Sequence, residues 1–441
     1  MQTTQTAVTP QARYALAVLL LAYILSFIDR NVMAVLIGPI REQFDISDFQ
    51  YSLLHGFAFS MFYIVLGLPI ARLADHHNRK WIISAGVLCW SIMTCLCGMA
   101  RDLTTLFLAR IGVGVGEAAL SPAAYSILSD LYPPEKLARA ISIYSLGITL
   151  GGGLAYILGS AIYEYFAHQG GVSLPWLGSM NAWQMTFFTV GAPGIVVVLM
   201  LMLLKEPARK VHASGAEPDT SLTQVGLHLR KHSRAYLAMI LAPSLMAVLG
   251  YGTMAWFAEH LIRSYGMSRA EAGGQFGVIF IVAGSLGALV GGWAVQPLVK
   301  RGYADAPLRV ILLAACLWPI PACLGPLASS PEMGLLAAWP IVFFLNSYYA
   351  AQVSGIQLIT PNHMRAQVSA LMLFVTNFLG LALGPSAVAI LTDFLFASDQ
   401  DLRYSLALLP LLVCVPAFFL ALQGLKPYRL ALAEAGGVAK R

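Results

Sequence analysis

Four charged residues fall in stretches of sequence that are otherwise apolar. Arg110 and Glu117 lie in FLARIGVGVGEAALSP, and Asp29 and Arg30 lie in SFIDRNV. A charge at the depth of a bilayer costs from about 2.5 kcal/mol on insertion scales to over 10 kcal/mol in simulations, so such residues usually face a cavity. The seven-residue spacing of Arg110 and Glu117 is two helical turns, which places both side chains on one helix face.

A carboxylate beside basic residues at this depth can bind and release a proton. Burial and a nearby arginine shift the pKa of such a group in opposite directions, so its protonation can depend on which side admits water. We therefore expect Glu117 and Asp29 to be the groups that bind and release protons. The alternative is a structural charge network that only locks two helices together.

Depth along the helices predicts which charges meet. If the first helix enters the membrane near residue 15, Asp29 lies roughly 21 Å up a core about 30 Å thick. The fourth helix runs the other way, which places Arg110 roughly 10 Å below the outer edge and Glu117 about 10 Å deeper. We expect an ion pair between Asp29 and Arg110, with Glu117 unpaired nearer the midplane.

Composition indicates the kind of chain that carries these charges. Of 441 residues, 58% are hydrophobic and 11% are charged, whereas charged residues are near 25% in soluble domains. The basic residues behind the net charge of +6 fall at the ends of apolar segments, which argues against nucleic-acid binding. The chain therefore reads as an all-α membrane protein with twelve transmembrane helices, at 14–38, 52–72, 81–99, 103–125, 137–163, 183–204, 236–262, 272–298, 308–327, 333–354, 365–391 and 403–424.

One long polar interval near the middle divides these helices into two pseudo-symmetric bundles of six. The predicted parts are a bundle at 1–204, a cytoplasmic linker at 205–234, a second bundle at 235–425 and a cytoplasmic tail at 426–441. A similar stretch opens the fifth and eleventh helices, PEKLARAIS and PNHMRAQVS, which agrees with a parallel repeat.

Lys and Arg residues predict the orientation of the chain. With both termini in the cytoplasm, 20 of these residues fall on cytoplasmic segments, five on external segments and two inside helices. We therefore expect a multi-pass protein of an inner or plasma membrane with both termini cytoplasmic, acting as a monomer.

The loop after the second helix reads ARLADHHNRK and resembles the signature G-x-L-A-D-x-x-G-R-K of the major facilitator superfamily. This resemblance implies a conformational latch formed by Asp75, Arg79 and Lys80. An ordinary basic loop on the cytoplasmic side is the alternative. Arg110, with two glycines after it, also fits the superfamily pattern L-x-x-x-R-x-x-x-G-x-G of the fourth helix.

The stretches FIDRNV, ARLADHHNRK and RIGVGVGEAALSPAAYSILSD together resemble the Spinster family within that superfamily. The resemblance implies a transporter of lysophospholipids or sphingoid phosphates. It also implies that Asp29, Arg30, Arg110 and Glu117 are charged residues of a cavity.

The second half offers uncharged polar residues in mid-membrane. Asn346 and Tyr348 lie on the tenth predicted helix, with Tyr349 and Gln352, and Asn377 lies on the eleventh. We expect Asn346, Tyr348 and Asn377 to contribute to substrate binding. Hydrogen bonding between helices is the alternative for each of them.

The predicted function is proton-coupled transport of an amphipathic anionic lipid by alternating access. The sequence has no G-x-x-x-x-G-K-[ST] loop to bind a nucleotide, so an ion gradient is the expected energy source. A phosphate headgroup would bind near Arg30 or Arg110. We expect no metal and no cofactor.

Other functions compete with this one. A proton-coupled multidrug or organic-anion exporter is the alternative within the class of transporters, and a non-transporting membrane sensor on the same fold is an alternative outside it. A membrane-embedded hydrolase would need a nucleophile and a base, or paired aspartates, at one depth. Asp29 lies beside arginines instead, so we do not expect an enzyme.

Overall fold

The computed structural model describes residues 8–174, 178–209 and 222–436. Twelve helices within these ranges are long and apolar enough to cross a membrane, and they are numbered α1 to α12. Their bounds are Pro10–Val35, Asp48–Gly67, Arg79–Met99, Leu103–Leu131, Glu135–His168, Ala182–Leu203, Ser233–Tyr265, Arg269–Lys300, Ala306–Leu327, Pro331–Ile359, Asn362–Phe396 and Asp399–Glu434. The prediction of twelve membrane helices is confirmed.

Shorter elements join these helices. A helix at Ile37–Phe44 follows α1, and a second helix at Leu222–Lys231, the linker helix, precedes α7. Two antiparallel strands, β1 at Val172–Leu174 and β2 at Gly178–Met180, lie between α5 and α6. Strands of three residues are too short to give a readable alternation of polar and apolar side chains, and the sequence did not predict them.

The chain forms two compact units. The first contains Met1–His212 and Met267–Ile281, and the second contains Ala213–Gly266 and Val282–Arg441. The arrangement in two bundles agrees with the prediction. The first part of α8 thus belongs to the first unit, and α12 is helical as far as Glu434. The boundaries predicted at 204, 234 and 425 stay a prediction.

Several membrane helices are interrupted. Irregular backbone at membrane depth is tolerated where protein covers it, and π-helical turns are frequent at functional sites. The interruptions in the first unit include a 3₁₀ turn at Val32–Val35 of α1, a π turn at Leu53–Phe57 of α2 and a break in α4 between Glu117 and Leu120. Each of these three lies close in sequence to a charged residue or histidine considered below.

Glycines let α4 pack closely against its neighbours. A Cβ atom built on Gly116 would lie 2.6 Å from the backbone nitrogen of Trp90 and 2.8 Å from the carbonyl oxygen of Gly86, both on α3. A Cβ atom on Gly114 would overlap the carbonyl of Phe59 on α2. Small residues allow such close approach of membrane helices. They fix the part of α4 that carries Arg110 and Glu117.

A buried charged cluster as the candidate functional site

Two carboxylates and two guanidinium groups meet inside the first unit. Asp29 and Arg30 come from α1, and Arg110 and Glu117 come from α4. Their exposed fractions are 1%, 8%, 0% and 2%, respectively. Because the four formal charges cancel, the cluster is neutral as a whole, which lowers the cost of keeping charges away from water.

Glu117 and Arg30 form an ion pair between α4 and α1. The Glu117 Oε2 atom accepts hydrogen bonds from Arg30 Nη2 at 2.6 Å and from Arg30 Nε at 3.2 Å. The same oxygen accepts a third hydrogen bond from Ser26 Oγ at 2.8 Å. The Glu117 Oε1 atom is buried and has no hydrogen-bond partner within the described ranges. One oxygen of the Glu117 carboxylate therefore accepts three hydrogen bonds, and the other accepts none from the described residues.

Asp29 and Arg110 meet through the backbone. Arg110 Nη1 donates to the main-chain carbonyl oxygen of Asp29 at 3.4 Å. The Asp29 carboxylate instead accepts from Thr94 Oγ1 on α3, at 3.3 Å. Asp29 Oδ1 and the Nε and Nη2 atoms of Arg110 are buried and find no hydrogen-bond partner in the part of the chain that the structure describes.

The expected ion pair of Asp29 with Arg110 and an unpaired Glu117 is therefore wrong. Depth placed these residues at similar levels, but depth does not tell which side chain of α1 faces α4. Successive residues of a helix point about 100° apart. Arg30 and Ser26, one turn apart, both reach Glu117, whereas the Asp29 carboxylate bonds to α3.

Aromatic rings surround the Arg30 guanidinium. Its carbon Cζ lies 4.7 Å from the ring centre of Phe27, 4.6 Å from that of Phe59 and 5.0 Å from that of Tyr63. Arg110 lies 5.5 Å from the Phe59 ring, so one ring serves both cations. Cation–π contacts of this kind stabilise a positive charge where water is scarce.

Three further aromatic residues pack next to the rings around Arg30. Tyr23 packs edge-on against Phe27 at 5.1 Å and stacks on Tyr144 of α5 at 4.4 Å, with nearly parallel rings. Tyr125 of α4 meets Tyr144 at 5.4 Å. These rings join α1, α4 and α5 beside the charged cluster.

Sequence reasoning missed three polar residues of this site. Ser26 precedes Arg30 by four residues, and this one-turn spacing was a usable signal. Thr94 gave none, because a single threonine in an apolar helix is common. His55 lies in the π turn of α2, and its buried Nδ1 atom has no partner among the described residues.

The loop after α2 forms a second polar network through Arg79. This side chain is 1% exposed and donates to the Asp130 carboxylate, to Ser126 Oγ at 2.8 Å, to Glu206 Oε1 at 2.8 Å and to the Pro207 carbonyl at 3.0 Å. It thereby joins the end of α4 to the segment after α6.

The other two residues of the predicted latch differ from Arg79. The backbone nitrogen of Lys80 donates to Glu206 Oε2 at 3.0 Å, and its Nζ donates to the Met202 carbonyl at 3.3 Å. The side chain of Asp75 lies outside the described part of the structure. The network thus fixes Arg79 and Lys80 within the first unit, and their action as a latch stays a prediction.

In the second unit, polar residues join α7, α10 and α11. Gln352 Nε2 donates to Thr376 Oγ1 at 3.1 Å, and Thr376 bonds to Ser244 Oγ at 2.9 Å. Gln352 therefore hydrogen-bonds between helices. The Asn346 amide donates to Val342 of its own helix at 3.3 Å.

Tyr348 and Asn377 lie in different surroundings. Tyr348 is buried and packs 6.1 Å from the ring of Trp318 on α9. Asn377 is half-buried on α11 and directly follows Thr376. A substrate-binding role for Asn346, Tyr348 and Asn377 stays a prediction.

Comparison with known proteins defines the class. The sequence pattern of the Major Facilitator Superfamily matches residues 19–385, so the chain belongs to this superfamily of membrane transporters and is not an enzyme. Within the superfamily it is a transporter of the Spinster type. A solved bacterial homolog of the human lysosomal transporter Spinster, in an inward-facing and unoccupied conformation, matches with a TM-score of 0.78 at 27% identity over 99% of both chains.

Two relatives have names that describe different kinds of transporter. An MFS-type efflux pump of Mycolicibacterium smegmatis is 27% identical over 86% of this chain and 84% of its own length. The sphingosine-1-phosphate transporter SPNS2 of Danio rerio is 25% identical over 92% of this chain and 83% of its own length.

Proposed function

We propose that the protein transports an amphipathic lipid with an anionic headgroup, a lysophospholipid or a sphingoid phosphate, by proton-coupled alternating access. The observation that carries this proposal is the buried ion pair of Arg30 and Glu117 at 2.6 Å. The name of the Danio rerio relative, a sphingosine-1-phosphate transporter, supports the substrate class.

Competition for the Arg30 guanidinium couples binding of the headgroup to protonation of Glu117. An anionic headgroup that reaches Arg30 competes with Glu117 for its N–H groups. The displaced Glu117 carboxylate would be a buried charge without a partner. Keeping such a charge buried costs roughly several kcal/mol, unless the carboxylate takes a proton. Glu117 is therefore protonated when the headgroup binds and ionised when Arg30 returns to it.

Charge balance gives the expected stoichiometry. The empty cluster is neutral, with Asp29 and Glu117 balancing Arg30 and Arg110. One negative charge on the headgroup and one proton on Glu117 leave the sum at zero. One proton per negative charge of the bound headgroup therefore avoids an uncompensated charge in a low-dielectric site.

Arg110 and Asp29 complete the binding proposal. Two guanidinium nitrogens of Arg110, Nε and Nη2, are buried without hydrogen-bond partners among the described residues. A guanidinium presents its N–H groups as a planar fork that matches phosphate oxygens. We assign Arg110 to the phosphate and Asp29 to a second protonation site.

The remaining assignments follow the charge pattern and the family resemblance. Asn346, Tyr348 and Asn377 are proposed substrate-binding residues of the second unit. Asp75, Arg79 and Lys80 are the proposed latch. Both termini are proposed to be cytoplasmic, in an inner or plasma membrane, and the transporter is proposed to act as a monomer with protons as its second cargo.

A second candidate is a proton-coupled exporter of drugs or organic anions. The similarity to the efflux pump of Mycolicibacterium smegmatis favours it, because 86% of the chain takes part in that match. The charged cluster suits a small organic anion as well as a phosphate. The two candidate functions differ in whether an acyl chain of the substrate contributes to binding.

Transport by the purified protein in proteoliposomes tests the proposal. The probes are radiolabelled lysophosphatidic acids of increasing chain length and a monoacylglycerol of equal chain length that lacks the phosphate. We expect uptake of the phosphate lipid that responds to an imposed pH gradient, no uptake of the neutral lipid, and affinity that rises with each methylene by about 0.8 kcal/mol while buried. Affinity independent of chain length would favour the exporter, and absence of any flux would favour a sensor.

A further inference from the structure

The linker helix is held firmly against other helices of the second unit. His228 Nε2 lies 3.0 Å from the hydroxyl of Tyr236 on α7, and that hydroxyl also lies 2.9 Å from Thr360 Oγ1. At the end of the same helix, Lys231 forms an ion pair with Glu434 at the end of α12. These contacts give the linker helix a fixed place over α7.

A cavity of about 390 Å³ lies between the linker helix, α7 and α11. This volume is within the range of about 300–1,000 Å³ of small-molecule sites. Its walls are mainly apolar and include Leu229 of the linker helix, Leu237 and Leu241 of α7, and Leu371 and Val375 of α11. Among its described lining residues, Arg230 carries the charge.

We propose that this cavity binds one acyl chain of an anionic phospholipid of the surrounding membrane, with Arg230 contacting the lipid phosphate. The site belongs to the second unit, and none of its described lining residues belongs to the charged cluster around Glu117. It is therefore independent of the proposed transport site.

Exposure and charge point to a lipid as the occupant. Leu237 and Leu371 are 51% and 39% exposed, respectively, although both lie within membrane helices. A lipid chain is an apolar neighbour that suits exposed leucines at such positions. At the headgroup level, Arg230 and Arg234 lie at the end of the unit that the Lys and Arg count predicts to be cytoplasmic.

Anionic lipids of the cytoplasmic leaflet attract basic segments next to membrane helices. An amphipathic helix with basic residues, lying at the membrane surface, suits that interface. A phosphatidylglycerol or similar lipid fits both the apolar cavity and the arginine at its edge.

Native mass spectrometry of the full-length protein tests the lipid headgroup. We expect the wild-type protein to retain one phosphatidylglycerol in preference to phosphatidylcholine. Arg230→Ala should weaken retention of phosphatidylglycerol about fivefold and that of phosphatidylcholine less, because the choline cation offsets the phosphate charge. Arg234→Ala removes the same charge from a residue outside the lining, and it should weaken retention of phosphatidylglycerol less than Arg230→Ala does.

Filling the cavity tests the acyl chain. Val375→Trp should abolish retention of both lipids, whereas Leu373→Trp, on the same helix but outside the lining, should not. Leu371→Trp is a second filling variant at a position that is already exposed, in case Val375→Trp does not fold. Thermal unfolding midpoints equal to that of the wild type establish folding for each variant.

Three results would overturn the proposal. Equal losses with Arg230→Ala and Arg234→Ala would show general attraction to basic residues. Unchanged lipid retention in both folded filling variants would show that the acyl chain binds elsewhere. Displacement of the lipid by inorganic phosphate at the same concentration would show a site for a free anion.

Discussion

Arg30 and Glu117 form a buried ion pair that joins α1 to α4, with 2.6 Å between Arg30 Nη2 and Glu117 Oε2. Two hydrogen bonds from the guanidinium and one from Ser26 converge on this one oxygen. The other oxygen, Oε1, is buried and unpartnered among the described residues. The carboxylate thus has one oxygen that holds α1 and one oxygen available for a proton.

Removing the cation of this pair should destabilise the protein strongly. Breaking one partner of a buried ion pair costs about 3–5 kcal/mol because a lone buried charge remains. We expect Arg30→Met to lower the thermal unfolding midpoint in detergent at neutral pH. The double variant Arg30→Met with Glu117→Gln, which leaves no lone charge, should recover most of the loss. A single variant as stable as the wild type would contradict the ion-pair account.

The close contact of α3 and α4 should not tolerate a methyl group. A Cβ atom at Gly116 would lie 2.6 Å from the Trp90 backbone nitrogen, so Gly116→Ala must push the helices apart at a cost of about 1–3 kcal/mol. Gly274→Ala in α8 is the matched control, because nothing lies within 4 Å of its added Cβ atom. Thermal unfolding of both variants checks this. Equal midpoints would show that α4 is less tightly fixed than the structure indicates.

Arg79 should not be replaceable by lysine. Its guanidinium reaches four acceptors at once, and a lysine ammonium has no planar fork to do so. We expect Arg79→Lys to destabilise the first unit by about 2 kcal/mol or more, since buried acceptors would lose their donor. Lys80→Ala, which removes one carbonyl contact of 3.3 Å, should cost less than about 1 kcal/mol.

If the loop acts as a latch, Asp130→Asn should slow transport while substrate affinity stays at the wild-type value. Uptake rates and binding isotherms on the same preparation measure the two separately. Parallel losses in rate and affinity would indicate a purely structural network.

Docking of the linker helix should weaken in acid. Burial and the neighbouring His232 lower the pKa of His228 from its ordinary value of 6.5. Because the docked helix binds this proton less readily than the undocked helix, docking is fully favoured above about pH 6.5 and is lost as pH falls through the lowered pKa.

Amide hydrogen exchange of Leu222–Lys231, corrected for the intrinsic effect of pH, should show protection that decreases below pH 6.5. His228→Gln should abolish this pH dependence, and Tyr236→Phe should reduce protection at neutral pH. Protection that is constant down to pH 5 in the wild type would contradict the role of His228.

The sequence predicted the helices better than it predicted their contacts. Long apolar segments determine the twelve membrane helices, and isolated charges such as Arg110 and Glu117 are conspicuous within them. Neither signal specifies helix rotation, which is why Asp29 was paired with Arg110 and Arg30 was not paired with Glu117. Pro122 cannot donate a backbone hydrogen bond to Ala118, and it is a sequence signal for the break in α4 after Glu117 that the prediction of a continuous helix at 103–125 did not use.

The sequence also could not predict hydrogen-bond partners that come from distant segments of the chain. Glu206 and Asp130 bind Arg79 from 127 and 51 residues away, respectively. Each looked like an ordinary polar residue at a helix end. The loop signature identified Arg79, but only the packing of the helices shows which residues its side chain binds.

The proton dependence of uptake in Glu117→Gln tests the central claim most directly. Wild-type protein, Glu117→Gln and the exposed control Glu135→Gln would be compared in proteoliposomes, with lysophosphatidic acid uptake measured at several imposed pH gradients and counterflow measured without a gradient. The account predicts that Glu117→Gln retains counterflow but no longer responds to the gradient, whereas the control behaves as the wild type. Gradient dependence in Glu117→Gln equal to that of the wild type would contradict it.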